Sequence, residues 1–449
     1  MSLGTWWDDM LNRGLEPGTH SYIGSGDFQG HRFHLRVDSE QKGVLMVDAS
    51  KLIFLNGTAL DYVRCVLEGR SDAATARYMR RRYRNLPHDK AVEHLNRIKG
   101  QLQDFIHGKT DVISSIGPSS PTAGADGLPA PYRMDLALTY RCPNDCGHCY
   151  NETKQKPELS REQWMRVLSR LWKAGVPHVV FTGGEPTLVP FLVDLVARAQ
   201  EIGQVSGLIT NGRSLGRPGY LKGLVDAGLD HVQITLLSHR ESVHDKLTGS
   251  AGSWKETVEG IKAAVRENLY VSTNTTLMGS NIDEIEDTFR FIVGLGIKNV
   301  AFNGIIRAGK GTGPESLELG RVGKVLDRLK AAADEAGVKL TWYAPTPYCE
   351  LNPVNHGLGI LQCTACSVNM AVEPDGTVLP CQSCTEPLGN ILEDGWEDIW
   401  SHPKCREFRE RGYLPEKCKE CEQVELCGGG CPLSIKHGDY LCTDRDSNG

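Results

Sequence analysis

The sequence predicts a three-part α/β protein, with a small α+β unit, a parallel β/α barrel and a cysteine-rich end. Strand and helix patterns alternate between 132 and 343, which is typical of a parallel sheet covered by helices. Fourteen of the fifteen cysteines fall in two islands, at 142–149 and at 349–442. Residues 108–131 are rich in Gly, Pro, Ser and Ala, which indicates a linker between the first unit and the barrel.

Composition and charge exclude several classes of function. The apolar content of 40% and charged content of 24% are ordinary for a globular protein. The net charge of −6 disfavours a nucleic-acid partner, because a phosphate backbone needs a basic surface. No export signal and no apolar run of about 18 residues is present, so we predict no membrane span and a cytoplasmic location. In that compartment, clustered cysteines indicate metal ligation rather than disulfides.

The first unit, residues 1–107, combines short strands with helices. FHLRVD, GVLMVD and SKLIFLN have the apolar pattern of half-buried strands. Three helical patterns follow, from TALDYVRCVLEG through SDAATARYMRRRYR to DKAVEHLNRIKGQLQDFI. Three small strands followed by three helices predict a compact winged-helix-like fold.

The barrel, residues 132–343, is predicted from repeated strand–helix units. Six apolar strands are expected, and GVKLTWY at its end adds a further one. The six are MDLALTY (134–140), HVVFTGG (178–184), VSGLITN (205–211), HVQITLL (231–237), YVSTNTTL (270–277) and NVAFNGI (299–305). In such barrels the reacting groups cluster at the C-terminal ends of the strands.

Three thiols follow the first barrel strand directly. Cys142, Cys146 and Cys149 lie within the eight residues CPNDCGHC. Four thiolates close a tetrahedral zinc site or hold every iron of a cubane, and this loop offers only three. His148 is too close in sequence to serve as the fourth ligand. Two interpretations remain: a cubane with one iron open to a small molecule, or a zinc knuckle with a distant fourth ligand.

The CxxxCxxC spacing after a first barrel strand resembles the radical S-adenosylmethionine (SAM) superfamily. This resemblance implies a partial (β/α)6 radical SAM barrel, in which the open iron chelates SAM and a 5′-deoxyadenosyl radical abstracts a substrate hydrogen. It also implies a set of SAM-binding positions at later strand ends. These are Gly183, Gly184, Glu185 and Pro186 of a GGEP motif, with Thr235, Ser238, Asn274 and Arg307. Without the resemblance, GGEP is a tight turn and the others are ordinary polar residues.

The cysteine-rich segment, residues 344–449, has few apolar runs, so metal centres are expected to stabilise it. Its CX2CX5CX3C run, preceded by GX4C, resembles the SPASM extension of radical SAM enzymes, which holds two auxiliary [4Fe-4S] clusters. For the second cluster the resemblance implies Cys418, Cys421, Cys427 and Cys442. For the first it implies Cys431, Cys381, Cys366 and Cys349, with Cys363 exchangeable for Cys366. Cys384 and Cys405 are left as plain thiols, and zinc is the alternative metal.

The first unit resembles the PqqD-like recognition element of enzymes that modify ribosomally made peptides (RiPPs). Such elements bind a leader peptide as an added edge strand. Here the groove is expected between the strand at 51–55 and the helix at 94–105. The alternative is a winged-helix module for packing or DNA binding, with the basic run ARYMRRRYR at 76–84.

Together these resemblances imply a radical SAM/SPASM peptide maturase, an oxidoreductase with SAM and three [4Fe-4S] clusters. The implied partners are a precursor-peptide leader and a flavodoxin- or ferredoxin-type electron donor, without nucleic acid or membrane. The implied product is a thioether, carbon–carbon or ether crosslink, or a related oxidation. Two alternatives stay open: sulfatase-maturing-type oxidation of Ser or Cys in a partner protein, and a non-catalytic cluster or zinc regulator with a DNA-binding winged helix. The sequence assigns no catalytic base.

Overall fold

The computed structural model describes most of the chain, in two compact units that divide between Pro129 and Ala130. The described residues are 14–29, 31–37, 41–47, 51–106, 129–151, 156–267, 269–313 and 315–436. The predicted linker lies outside them except for 129–131, and so does Cys442. None of the described helices combines the length and apolar character needed to cross a membrane.

The first unit is a four-stranded antiparallel sheet with three helices. Its strands, paired in chain order, are Gly18–Ile23 (β1), Arg32–Val37 (β2), Gly43–Val47 (β3) and Lys51–Leu55 (β4). Its helices are Gly57–Leu67 (α1), Asp72–Arg82 (α2) and His88–Ile106 (α3). Strand β1 is an addition to the sequence prediction, because its sequence GTHSYI lacks a regular apolar alternation.

A buried carboxylate links the first two helices of this unit. Asp61 of α1 is almost fully buried and accepts hydrogen bonds from the hydroxyls of Tyr78, at 3.1 Å, and Tyr83, at 2.7 Å. The guanidinium of Arg82 also donates to it. Burying a carboxylate costs free energy unless hydrogen-bond donors replace the lost water. Here all the donors come from α2 and the residue that follows it, so the contact links α1 to α2.

The second unit contains the barrel and the cysteine-rich segment. Its parallel strands are Arg133–Thr139 (β5), His178–Gly183 (β6), Val205–Thr210 (β7), His231–Thr235 (β8), Tyr270–Thr276 (β9), Asn299–Asn303 (β10) and Lys339–Trp342 (β11). The helices between them are Arg161–Ala174 (α4), Leu192–Ile202 (α5), Tyr220–Asp226 (α6), Glu241–Thr248 (α7), Ser253–Arg266 (α8), Ile285–Gly294 (α9) and Leu319–Ala336 (α10).

The cysteine-rich segment continues the same sheet. It adds Asn369–Val372 (β12), Thr377–Leu379 (β13) and Gly389–Asn390 (β14). Its short helices are Trp396–Trp400 (α11), Pro403–Arg409 (α12), Glu416–Lys419 (α13), Val424–Cys427 (α14) and Pro432–Lys436 (α15). The strand order is β11-β10-β9-β8-β7-β6-β5-β12-β13-β14, so β5 pairs with β12 and the barrel stays open. The predicted partial barrel is therefore confirmed.

Helix α4 shows how local sequence fixes the elements around the barrel. Ser160 and Gln163 form a reciprocal capping box at its start, and Gly175 ends it in the left-handed region at φ 95°. Its apolar face, including Trp164 and Leu168, is fully buried in the core between sheet and helices. Burial of each such side chain contributes about 1.5–3 kcal/mol.

Strand β5 alternates between two environments. Met134, Leu136 and Leu138 belong to the apolar core that the strands share with the helices. The alternate residues point to the other face, because side chains of a strand alternate in direction. There Asp135 accepts a hydrogen bond from Arg133 at 2.6 Å. The barrel interior is therefore polar, and the loop after β5 opens onto it.

Candidate active site and thiol groups

The cysteine loop, residues 140–151, follows β5 at the C-terminal edge of the sheet. The backbone N–H of Cys149 donates to the Cys146 carbonyl at 3.2 Å, which makes a tight turn of the last two thiols. Burial, together with charges on Cys149 and Cys142, raises the pKa of Cys146 to about 12. The three thiols therefore lie close together, and a metal must displace their protons to bind.

Two other barrel loops hold the cysteine loop in place. The guanidinium of Arg213, after β7, donates to Asn144 Oδ1 at 2.6 Å. The backbone N–H of Lys310, after β10, donates to the Cys149 carbonyl at 2.9 Å. These contacts span the barrel, so the thiols are fixed relative to the strand ends.

The GGEP turn after β6 lies directly against the cysteine loop. The N–H of Gly184 donates to the Thr139 carbonyl at 2.6 Å, and that of Glu185 to the Arg141 carbonyl at 2.9 Å. A Cβ on Gly184 would lie 2.4 Å from the Arg141 carbonyl oxygen. Gly183 has φ +134°, and a Cβ there would lie 2.2 Å from the Thr139 oxygen. Both glycines are therefore required by close backbone packing.

The Glu185 carboxylate organises the next strand end. It is buried and accepts from Thr187 N at 3.0 Å, Thr210 Oγ1 at 2.8 Å and Asn211 N at 2.8 Å. Burial raises the pKa of Glu185, and these donors act against that rise. A carboxylate has about four acceptor positions, so these three hydrogen bonds leave at most one of them unused. Pro186 begins the short 3-10 turn that follows.

Two amide side chains, of Asn211 after β7 and Asn274 in β9, each have one buried polar atom without a conventional hydrogen bond among the described residues. These atoms are Asn211 Nδ2 and Asn274 Oδ1, and the Asn211 side chain lies close enough to Cys142 to lower the pKa of that thiol. Thr235, the last residue of β8, pairs in register with Asn274. Buried polar atoms are normally satisfied. Three thiols beside unsatisfied amide groups are a donor set that fits a three-ligand cubane with a polar amino-acid cofactor.

Two predicted SAM contacts are engaged elsewhere. Ser238 is fully buried, and its hydroxyl donates to Glu284 Oε1 at 2.9 Å. The guanidinium of Arg307 donates to Ser316 Oγ at 2.7 Å, within the loop that follows β10. Through these hydrogen bonds, Ser238 stabilises the loop after β8 and Arg307 stabilises the loop after β10.

The first thiol group consists of Cys363, Cys381, Cys384 and Cys431. Burial raises the pKa of Cys381 well above its usual range, and charges on the other three raise it further. Burial likewise raises the pKa of Cys363 to about 12, with contributions from Cys431 and Cys384. The N–H of Cys384 donates to the Cys381 carbonyl at 3.2 Å. The sequence analysis assigned no cluster to Cys384, and the structure places it beside the other three thiols.

The second thiol group consists of Cys418, Cys421 and Cys427. Burial raises the pKa of Cys418, and charges on Cys427 and Cys421 add to the rise. The N–H of Tyr348 donates to Cys427 Sγ at 3.2 Å. The neighbouring Cys349, which is disulfide-bonded, therefore adjoins the second group, whereas the resemblance assigned it to the first.

A triple-glycine turn separates the two groups along the chain. Gly428, Gly429 and Gly430 all have positive φ, at 63°, 79° and 82°. A Cβ on Gly430 would lie 2.9 Å from Pro347 N. The turn reverses the chain, so that Cys427 stays with the second group and Cys431 joins the first.

Cys366 is paired with Cys405. Both side chains are fully buried, and their Sγ atoms lie 3.0 Å apart. The guanidinium of Arg409 donates to the Cys366 carbonyl at 3.1 Å. Of the two exchangeable candidates, Cys366 is influenced by the charge of Cys381 in the first group, whereas Cys363 is influenced by both Cys384 and Cys431. In the described part of the chain, no three His, Cys, Asp or Glu side chains are gathered tightly enough for a single metal ion.

Sequence reasoning missed several residues of these sites. Asn211 was open to prediction, because it follows a barrel strand in LITNG and strand ends carry the reacting groups. Lys310 lies in AGKGTG, which lacks the spacing of a phosphate loop, and its backbone serves the cysteine loop. Cys384 was open to prediction, because it forms a CX2C pair with Cys381. Cys405 carried no signal, since its partner Cys366 is distant in sequence.

Comparison with known proteins identifies two domains. Residues 136–292 match the radical SAM superfamily, and residues 363–422 match SPASM, an iron–sulfur cluster-binding domain. The PqqA peptide cyclase of Methylorubrum populi is 28% identical over 334 residues, which are 70% of this chain and 83% of that protein. The PqqA peptide cyclase of Methylobacterium nodulans is 29% identical over 340 residues, 71% and 86% of the two chains.

Two solved structures share the fold. SuiB of Streptococcus suis, bound to its precursor peptide SuiA, has a TM-score of 0.66 at 16% identity and covers 95% of this chain and 99% of its own. anSMEcpe with bound AdoMet and Kp18Cys peptide has a TM-score of 0.55 at 19% identity, covering 67% and 89%. At these identities the likeness concerns the fold alone.

Proposed function

Because this chain is a radical SAM enzyme with a SPASM domain, using SAM and [4Fe-4S] clusters, we propose that it oxidises a ribosomally made precursor peptide. The proposed product carries a new thioether, carbon–carbon or ether bond, formed with the loss of two hydrogens. The observation that best supports this proposal is the structural similarity to peptide-bound SuiB, which extends over nearly the whole chain, including most of the first unit. The related PqqA peptide cyclases also act on a peptide.

The first unit is the proposed binding site for the leader segment of that peptide. Strand β4 is the last strand of its sheet, and β3 is its only strand partner in the described residues. An edge strand presents unpaired backbone groups, to which an extended peptide can add as a further strand. Main-chain bonding of this kind tolerates varied leader sequences, so side-chain contacts have to supply the selectivity.

We propose three ligand sets for the clusters. Cys142, Cys146 and Cys149 hold the SAM-binding cluster, which supplies the electron for reductive cleavage. The first thiol group, completed by Cys384, holds one auxiliary cluster. The second thiol group holds the other, completed by Cys442, as the SPASM resemblance implies.

Around the barrel cluster, this chain's own residues position the cofactor. In the proposal the free acceptor position of Glu185 receives the SAM ammonium. The Asn274 amide oxygen accepts from its polar atoms, because nothing in the described part of the chain bonds to that oxygen. The Asn211 amide lies beside Cys142, at the edge of the same site. Gly183 and Gly184 keep the cysteine loop close to this carboxylate. The polar barrel interior beneath receives the peptide segment to be oxidised.

The test is anaerobic reconstitution followed by reaction with SAM. We expect about twelve irons per chain, four per cubane, and dithionite-dependent formation of 5′-deoxyadenosine. Changing Cys142, Cys146 and Cys149 together to Ala should remove about four irons and all SAM cleavage, and leave the other eight. Unchanged cleavage in that variant would contradict the proposal.

The peptide is tested by co-expression with the short open reading frame encoded beside this gene. Mass spectrometry should show the precursor lighter by two hydrogens, and fragmentation should locate the bond between two residues. Conversion of a single Ser or Cys in a folded protein would instead support a sulfatase-maturing type of activity.

A further inference from the structure

One hydrogen bond connects the cysteine loop with the first thiol group. The Tyr150 hydroxyl donates to Gln382 Oε1, across 232 positions of sequence. Tyr150 directly follows Cys149, and Gln382 directly follows Cys381. A short link between the two sites therefore runs from Cys149 through Tyr150 and Gln382 to Cys381.

The surroundings of Tyr150 place it between the two sets of thiols. Its side chain lies near Cys149, Asp135 and Arg133 on the barrel side and near Cys381 on the other side. Half-buried at the polar interior of the barrel, it lies where the peptide segment is proposed to react.

The partner residue is also held firmly. Gln382 lies inside the turn closed by the Cys384 N–H and the Cys381 carbonyl, at 3.2 Å. The surrounding segment is attached to the barrel independently of Tyr150. Its strand β12 pairs with β5, and the N–H of Leu159 donates to the Pro374 carbonyl at 2.8 Å. Loss of the tyrosine contact should therefore loosen the local spacing without detaching the segment.

We propose that Tyr150 is a positioning residue that joins the SAM-cluster loop to the first auxiliary site and fixes their separation for direct electron exchange. The inference rests on the proposed ligand sets. Its chemical purpose follows from the electron balance of the proposed reaction. SAM cleavage consumes one electron, and formation of the new bond returns one after the hydrogen atom and a proton have left the peptide. An auxiliary cluster next to the SAM cluster can accept this electron and pass it back.

The experiment compares Tyr150→Phe with Tyr140→Phe in reconstituted, dithionite-reduced enzyme without peptide. Tyr140 is a matched control, since it lies in the same loop and donates to Glu373 of the cysteine-rich segment at 2.7 Å, but is not next to a thiol. The readouts are iron content and the microwave power that half-saturates the electron paramagnetic resonance signal. Nearby paramagnetic clusters speed each other's relaxation and raise this power.

We expect Tyr150→Phe to keep its iron and to lower the half-saturation power, because a wider or less fixed separation weakens the magnetic coupling between the clusters. Gln382→Leu should do the same, and the double variant should add nothing, as expected for a coupled pair. Tyr140→Phe should match the unchanged enzyme.

Three results would overturn the inference: unchanged saturation in Tyr150→Phe, an equal change in Tyr140→Phe, or loss of iron from Tyr150→Phe but not from Gln382→Leu. Failure of the proposed function looks different. In that case the unchanged enzyme itself would lack the barrel cluster or the first auxiliary cluster. If it binds both but their signals relax independently, the inference fails and the proposed function stands.

Discussion

At the residue scale, two kinds of residue determine the geometry of the sites. Glycines allow close backbone contacts, and the neighbours of each thiol determine the group to which it belongs. Gly184 and Gly430 leave no space for a Cβ against the backbone that they touch. The thiols differ from one another by their neighbours: Cys384 adjoins Cys381, whereas Cys366 adjoins Cys405. Both features can be tested by single substitutions.

Gly184→Ala should disturb the cysteine loop selectively. The added Cβ would lie 2.4 Å from the Arg141 carbonyl oxygen, so the loop must shift at a cost of about 1–3 kcal/mol. We expect a lower melting temperature and loss of the barrel cluster's iron, measured by calorimetry and iron analysis. Gly223→Ala is the control, because nothing lies within 4 Å of a Cβ there. Equal behaviour of both variants would refute this packing argument.

A comparison of Cys384→Ala with Cys366→Ala should distinguish a cluster ligand from a plain thiol. We expect Cys384→Ala to lose or destabilise one auxiliary cluster, about four irons. Cys366→Ala should keep all the iron and lose only stability, because it vacates a fully buried position beside Cys405. Iron analysis with Mössbauer spectroscopy checks both outcomes. The reverse pattern would restore the ligand set that the SPASM resemblance implied.

At the scale of single elements, helix α7 matters because its end holds the cysteine loop. The N–H of Asp145 donates to the Thr248 carbonyl, at the last residue of α7, at 2.8 Å. Within α7, His244 is buried, and its Nδ1 accepts from Leu237 N at 3.2 Å. This acceptor role requires a neutral ring, which makes the element sensitive to pH.

Burial lowers the pKa of His244 to about 4 from its ordinary 6.5. Between these values the unfolded chain binds a proton at this residue and the folded chain does not, so stability falls as pH drops from 6.5 to about 4. The slope from this group is at most about 1.4 kcal/mol per pH unit. His244→Gln should flatten the dependence of the unfolding free energy on pH in this window. Identical slopes for both proteins would exclude His244 as the cause.

At the scale of the whole molecule, one sheet unites the barrel with the cysteine-rich segment. Strand β5 has β6 on one side and β12 on the other, and the residues from Ala130 onwards form one compact unit. The two thiol groups are thus built on the same sheet as the cysteine loop. Removal of that segment would leave β5 as an exposed apolar edge.

Truncation after Tyr343 should therefore give an aggregated barrel, because unpaired edge strands recruit other chains. Deletion of residues 1–129 is the control, since these form a separate compact unit. We expect the second protein to stay monodisperse and to bind iron, and the first to sediment as large particles. A monodisperse truncated barrel with its SAM cluster would show that the shared sheet is dispensable.

The sequence by itself determined the parts with local signals. The order of strands and helices follows from apolar periodicity, and the thiol loop and the GGEP turn follow from short spacings that place donors at strand ends. The start of a helix such as α4 is also determined locally, by the capping residues Ser160 and Gln163.

Only the tertiary structure decided which distant residues meet. It joined Cys363 to Cys431, Cys366 to Cys405 and Tyr150 to Gln382, over separations of 68, 39 and 232 residues. Spacing along the chain carries no information on such pairs, because the pairing of β5 with β12 and the reversal at Gly428–Gly430 bring them together. Both depend on long-range packing, which a local pattern cannot express.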